Sequence, residues 1–302
     1  MKKAVLFTSL ALLGAVGMAQ NQNVVEVESG TYSFSVGNVK DKVRLSDVDM
    51  NIPETRMVND MTFCVIFANE KYQMEQSVPF AAHDGEVFRD YCVKTLGIPE
   101  KNIHYRANAT KNNMEFEVDW LSSVLATHKG EAKGIVYYSG HGMPNESNLN
   151  SYLLPVDGYA SRPESGYSLD KMYADLGSTD AASVTYFIDA CFSGANRSGD
   201  MMEQNRGVAI KSKGGRLQGN SVVFSAAQGD ETAYVYQDKS HGMFTYFLLK
   251  KLQETKGNVS YGELSDFISE KVSRMSLVEN SKSQTPLTIS TMGDWKKVKF
   301  NK

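Results

Sequence analysis

Two apolar runs in this chain end in residues that could do chemistry together. "KGIVYYS" (133–139) is followed by Gly140, His141 and Gly142, and "SVTYFID" (183–189) is followed by Ala190 and Cys191. A free thiol has a pKa near ~8.5 and is only a few per cent thiolate at neutral pH. A neighbouring imidazole can take its proton, then return one to a leaving amine. Gly142 lets its own N–H approach a substrate carbonyl closely, and with the N–H of Cys191 it could form an oxyanion hole. The pattern therefore points to nucleophilic acyl chemistry, with His141 and Cys191 as the catalytic pair.

The other candidates for such roles have blander settings. His104 sits within a strand-like run, His128 ends a helical pattern, and His83 lies in a first helical turn. His241 is the rival, because it also precedes a glycine in "SHGMF". However, it follows polar "QDKS" and enters a helix, so it lacks a strand-end position. Cys64 and Cys92 fall in apolar patterns, as small buried hydrophobes do. An oxidised Cys64–Cys92 pair stays open for an exported chain. No C-x-x-C, H-E-x-x-H or acid–histidine cluster is visible, so no metal is expected. "DVDMN" (47–51) begins like a calcium loop, but Ile52 stands where its glycine belongs and Val58 where its last acid belongs. No G-x-S-x-G elbow and no phosphate-binding loop occurs.

Positioning the pair falls to alternating elements. The pattern predicts strands at 62–68, 102–106, 133–139, 183–189 and 220–226. It predicts helices at 79–97, 112–130, 168–177, 242–254 and 261–275. Continuous apolar strands separated by amphipathic helices imply an α/β fold, a mostly parallel sheet with helices on both faces. Ligands in such folds bind beyond the carboxyl ends of the strands, where His141 and Cys191 both lie.

Composition excludes several partners. With 32 basic and 35 acidic residues the net charge is −3, and no basic run marks a nucleic-acid surface. "MKKAVLFTSLALLGAVGMA" (1–19) has the basic start, apolar stretch and small-residue end of a secretory signal. Its 16 uncharged residues fall short of the ~20 a spanning helix needs. The expected product is periplasmic or extracellular, with no membrane association after cleavage. Residues 20–60 form an N-terminal extension with one or two short strands ("TYSFSV" alternates), and 61–302 form the main domain. Three cysteines cannot staple a chain of 302 residues.

"YYSGHG" followed by "DACFSG", with histidine and cysteine fifty residues apart, resembles the caspase and metacaspase group of cysteine peptidases. "PFAAHDGEVFRDYCVKTLGI", "YLLPVDGY", "FSAAQGDETAY", "HGMFTYFLLKKL" and "QTPLTIS" look like bacterial caspase-domain proteins, so the resemblance spans roughly 60–295. It implies a caspase-like three-layer sandwich, a Cys–His dyad, and hydrolysis of peptide bonds without a cofactor. Calcium activation is also implied by the metacaspases, with no site visible here. Where the caspase signature has glutamine two residues before the cysteine, this chain has Asp189. Metacaspases share that aspartate and prefer arginine or lysine before the cut. In them a serine two before the histidine and an acid near the start of the first helix also line the pocket. These match Ser139 and Asp84. Independently, Asp84 falls on the apolar stripe of its helix, an expensive place for a carboxylate without a partner. Plainer readings stay open: Asp189 as an acceptor for loop amides, Asp84 as a helix N-terminal charge, Ser139 as a small strand-end residue.

The resulting expectation is an exported cysteine endopeptidase acting on peptides and proteins with a basic residue before the scissile bond. The alternatives are a catalytically silent caspase-fold module that binds peptides, and an acyltransferase or ligase using the same thiol. "ANRSGDMMEQNRGVAIKSKGGRLQGN" (195–220) carries Arg197, Arg206, Lys211, Lys213 and Arg216 beside the nucleophile. A basic, glycine-rich stretch between two strands suits an exposed loop, and self-cleavage is expected there.

Overall fold

The computed structural model describes residues 31–32, 43–145, 150–192, 215–229 and 231–300. Six strands form the central sheet: β1 (Thr62–Ala68), β2 (Ile103–Ala107), β3 (Lys133–Ser139), β4 (Ser183–Asp189), β5 (Ser221–Ser225) and β6 (Leu287–Ser290). Their order is β6-β5-β4-β3-β1-β2, parallel throughout except for β6, which runs antiparallel to β5.

Five helices cover the two faces: α1 (Ala81–Lys94), α2 (Lys111–Thr127), α3 (Leu169–Gly177), α4 (Met243–Thr255) and α5 (Tyr261–Asn280). The period-2 alternation of strand side chains decides which helix each residue meets. Cys64, Ile66, Ile135, Tyr137, Phe187 and Phe224 pack under α1, α4 and α5. Val65, Phe67, Val136, Tyr138, Tyr186 and Val223 pack under α2 and α3. This is the three-layer α/β sandwich expected from the sequence.

Local signals fix several boundaries. Thr110 and Asn113 form a reciprocal capping box that starts α2, and Ser260 with Glu263 does the same for α5. Gly85 lets α1 lie directly on the sheet, since a Cβ there would stand 2.6 Å from the Cβ of Ala68. Phe80, which caps α1, holds a left-handed φ of 64°. For a bulky residue that conformation costs roughly 1–3 kcal/mol, offset by the burial of its ring.

The topology sets the site. The chain leaves β1 toward β2 on one side, then returns to place β3 on the other, so strand order switches between β1 and β3. The register pairs Ala68 with Ser139 and Ser139 with Asp189, which brings the carboxyl ends of β1, β3 and β4 level. Beyond β3 the chain forms a small antiparallel sheet from Gly142–Pro144, Ser151–Leu153 and Tyr167–Ser168. The sequence reading did not anticipate this sheet, nor β6.

Part of the N-terminal extension packs on the same core. Thr31–Tyr32 pairs with Val43–Arg44, Val48 is buried, and the Tyr91 hydroxyl donates to the Val48 carbonyl at 2.9 Å. Asp47 accepts from Lys250 at 2.8 Å, from the Tyr246 hydroxyl at 2.9 Å and from Lys239 at 3.0 Å. Burial alone would raise the Asp47 pKa, but these donors hold it well below the usual carboxylate range. A carboxylate committed to two ammonium groups does not suit the calcium loop suggested by "DVDMN". Calcium needs six to eight oxygen ligands, so the stretch is not a fit for an activating calcium ion. Among the described residues, no helix is long and apolar enough to cross a membrane.

Candidate active site

His141 is held by its backbone from both sides. Its N–H donates to the Tyr72 hydroxyl at 2.8 Å, and its carbonyl accepts from the Tyr138 hydroxyl at 2.6 Å and from the Leu154 N–H at 2.9 Å. The ring packs against Tyr72, with centroids 4.7 Å apart. Its Nε2 lies 2.7 Å from the carbonyl oxygen of Gln76. A carbonyl can only accept, so Nε2 carries a proton toward Gln76. In the neutral ring Nδ1 then holds the lone pair, and Nδ1 is the atom able to take a thiol proton.

Cys191 comes to the same place from β4. A Cβ added to Gly142 would stand 2.5 Å from the Cys191 carbonyl oxygen and 2.8 Å from the Phe192 ring. The two loops thus touch through the glycine that follows the histidine. His141 and Cys191 thus stand on neighbouring loops just beyond the paired carboxyl ends of β3 and β4. Both side chains are covered, with Cys191 2% and His141 1% exposed. The other thiols differ. Cys64 and Cys92 are free and buried against each other, and burial together with Cys92 pushes the Cys64 pKa well up, which keeps that thiol protonated and inert.

The three acidic-pocket candidates also converge, on the α1/α4 face of the sheet. Asp189 is fully buried, and its Oδ2 accepts from the Thr245 hydroxyl at 2.6 Å and the Thr245 N–H at 3.3 Å. The Tyr137 hydroxyl lies 2.7 Å from the same Thr245 oxygen, which ties β3, β4 and α4 into one polar chain. Asp84, also fully buried, accepts from Ser139 Oγ at 3.3 Å and from the Gly242 N–H at 3.1 and 3.2 Å. Ser139 therefore stands between two buried carboxylates, its hydroxyl on Asp84 and its backbone in register with Asp189.

His241 is the residue that sequence reasoning undervalued. Its Nδ1 lies 2.8 Å from Asp84 Oδ1, and its Nε2 lies 3.0 Å from Asp49 Oδ1. Burial alone would lower its pKa, but the two carboxylates raise it to about 9. Asp49, which burial would raise, is held low by His241 and His83. The signal was present. Asp84 on an apolar stripe demanded a buried donor, and His241 was an unassigned one. The expectation of no acid–histidine cluster is thus corrected: Asp49, His83 and His241 offer ligand atoms within 4.8 Å of one another. They lie far apart along the chain, so no local spacing marked them.

His104 and His128 make stacking and polar contacts of their own. His104 stacks on Trp120 at 3.5 Å between centroids and pairs with buried Glu117, which Arg106 also engages. His128 caps the end of α2 and stacks on Phe63. Of the proposed self-cleavage positions, Arg197, Arg206, Lys211 and Lys213 lie outside the described residues. Arg216 is exposed, and its N–H donates to Asp170.

Comparison with known proteins agrees with this architecture. A family model described as the caspase domain matches residues 61–294. Among solved structures, the crystal structure of caspase-1 from Spodoptera frugiperda superimposes with a TM-score of 0.56 at 15% identity. The match covers 83% of this chain and 94% of that one. At that identity the likeness shows the fold alone. No curated protein matches the sequence. The family match covers most of the chain, and the chain belongs to the caspase-domain family of C14 peptidases.

Proposed function

We propose that the protein is an exported cysteine endopeptidase that cuts after arginine or lysine. The observation that carries the reading is the meeting of two strand-end loops. Gly142 abuts the Cys191 carbonyl, while His141 is turned by the Gln76 carbonyl so that Nδ1 is its basic nitrogen. In this reading Nδ1 takes the Cys191 proton and the thiolate attacks the scissile carbonyl. The N–H groups of Gly142 and Cys191 receive the oxyanion. His141 then protonates the leaving amine, and water releases the acyl enzyme. Asp189 and Asp84, with Ser139 between them, provide the negative field for a guanidinium or ammonium group. The apolar signal-like stretch at 1–19 supports export. No metal or organic cofactor takes part in these steps.

Burial of both Cys191 and His141 favours one second reading, a catalytically silent module that binds peptides through the same face. Profiling the purified chain on a mixed peptide library separates the two. Cleavage confined to bonds after Arg or Lys supports the peptidase. No cleavage at any bond, with or without calcium, supports the silent module.

The neighbouring glycine gives a further expectation. In Gly142→Ala the new methyl group must push the Cys191 loop away. A displacement on the order of 1 Å at a reacting group costs roughly 10²-fold in rate. kcat/KM should fall by about that factor while the far-ultraviolet circular dichroism stays unchanged. A variant with full turnover would mean that the two loops do not work together.

Self-cleavage belongs to the same reading. The chain carries basic residues Arg197, Arg206, Lys211, Lys213 and Arg216 just after its nucleophile. Incubated wild-type protein is expected to gain new N-termini after one or more of them, and Cys191→Ala to gain none, as mapped by mass spectrometry. A fully active chain that remains intact would exclude obligatory processing.

A further inference from the structure

Asp49, His83 and His241 meet at the start of α1 and α4, on three separate stretches of chain. Asp49 Oδ1 stands 3.0 Å from the Nε2 of His241 and 3.0 Å from the Nε2 of His83. The two imidazoles lie face to face, with centroids 4.7 Å apart and planes 30° apart, and both Nε2 atoms approach the same Asp49 oxygen. All three groups are covered: side-chain exposure is 3% for Asp49, 14% for His83 and 0% for His241. His83 Nε2 is buried and lies 3.0 Å from Asp49 Oδ1, outside regular hydrogen-bond geometry. A buried ring nitrogen facing a carboxylate without a well-aligned hydrogen bond is an expensive arrangement, which a shared cation would relieve.

We propose that Asp49 Oδ1, His83 Nε2 and His241 Nε2 bind one divalent transition ion of the zinc class. Two imidazoles and one carboxylate are a nitrogen-rich set, suited to zinc, cobalt or nickel and unsuited to calcium or magnesium. Metal–ligand bonds of about 2.0–2.1 Å in tetrahedral geometry place ligand atoms about 3.3 Å apart. The two 3.0 Å edges to Asp49 need to open by only a few tenths of an ångström, and the third, between the imidazoles, lies within 4.8 Å. Solvent would complete the four positions. The outer shell is already in place: Asp84 receives the other ring nitrogen of His241 at 2.8 Å and is itself fixed by the Gly242 N–H. A carboxylate behind a ligating imidazole fixes its tautomer and orientation, and such partners are worth about 10–100-fold in metal affinity.

The site would join three parts of the molecule. Asp49 precedes the caspase-matched region, His83 belongs to α1, and His241 leads into α4. Asp84, the outer-shell carboxylate, is also one of the acids beside Ser139. The ion is thus linked to the acidic pocket through a single side chain, and the inference does not depend on the peptidase reading.

The test is a calorimetric titration of the folded chain with zinc chloride, carried out in Cys191→Ala so that the free thiol near His141 contributes nothing. The expected result is one ion per chain, with the dissociation constant rising at least tenfold in His83→Ala and in Asp49→Ala. Cobalt(II) added to the same protein should give the intense visible d–d bands of a four-coordinate nitrogen–oxygen site, which needs no further substitution and so stands even if the variants misfold. Absence of binding, binding unchanged by both substitutions, or only the weak spectrum of six-coordinate aqueous cobalt would show an ion-pair cluster only and overturn the proposal.

Discussion

Cys191→Ala is expected to abolish peptide hydrolysis, and His141→Ala to lower it by roughly 10²–10⁴-fold. The asymmetry follows from the chemistry. Without sulfur no acyl enzyme forms, whereas without the imidazole the small thiolate fraction of Cys191 still reacts. Both variants should fold, because their backbone contacts persist: the Tyr72 hydroxyl and Leu154 N–H bond to the main chain of residue 141, not to its ring. Cys64→Ala and Cys92→Ala should keep the activity per folded molecule, since both thiols lie in the apolar layer between β1 and α1. Measured kcat/KM on one basic peptide, with folded fraction checked by circular dichroism, decides the matter. Full turnover by folded Cys191→Ala would remove the mechanism.

Asp189→Asn is expected to cost roughly 2–5 kcal/mol in transition-state binding of basic substrates, a loss of about 30- to 5,000-fold in kcat/KM. The substitution is nearly isosteric. The amide oxygen of asparagine can still accept from the Thr245 hydroxyl, so the link between β4 and α4 survives. What disappears is the negative charge facing a guanidinium. Peptides with Gln before the cut should be cleaved as well as before, and matched Arg, Gln and Asp peptides provide the comparison. A wild type that prefers Asp, or a variant that loses all three substrates equally, would mean that the acids of this face have another role.

The legibility of this molecule varied with the kind of contact. β1, β3 and β4 lie where their apolar runs predict, 62–68, 133–139 and 183–189, because strands buried on both faces leave no polar interruption. His141 and Cys191 were legible for the same reason, as the residues at which those runs stop. β6 was not, because it is a four-residue edge strand whose apolar side chains, Leu287 and Ile289, are the exposed ones. The small sheet beginning at Gly142 consists of pieces of two or three residues, too short for any period to show. α5 continues to Asn280, beyond the expected end at 275, and exposes Leu277 and Val278 in its last turn. The Asp49–His241 contact spans 192 positions and rests on no repeat or motif. Only the cost of burying Asp84 pointed toward it.

The central claim is that Cys191 is a nucleophile activated by His141, and one measurement addresses it most directly. The folded chain is treated with a peptidyl electrophile carrying arginine next to its reactive group, digested, and examined by mass spectrometry for the labelled cysteine. The account predicts stoichiometric labelling of Cys191 alone, slowed strongly in His141→Ala and competed by basic peptides. An unlabelled Cys191, or equal labelling of Cys64 and Cys92, would contradict it.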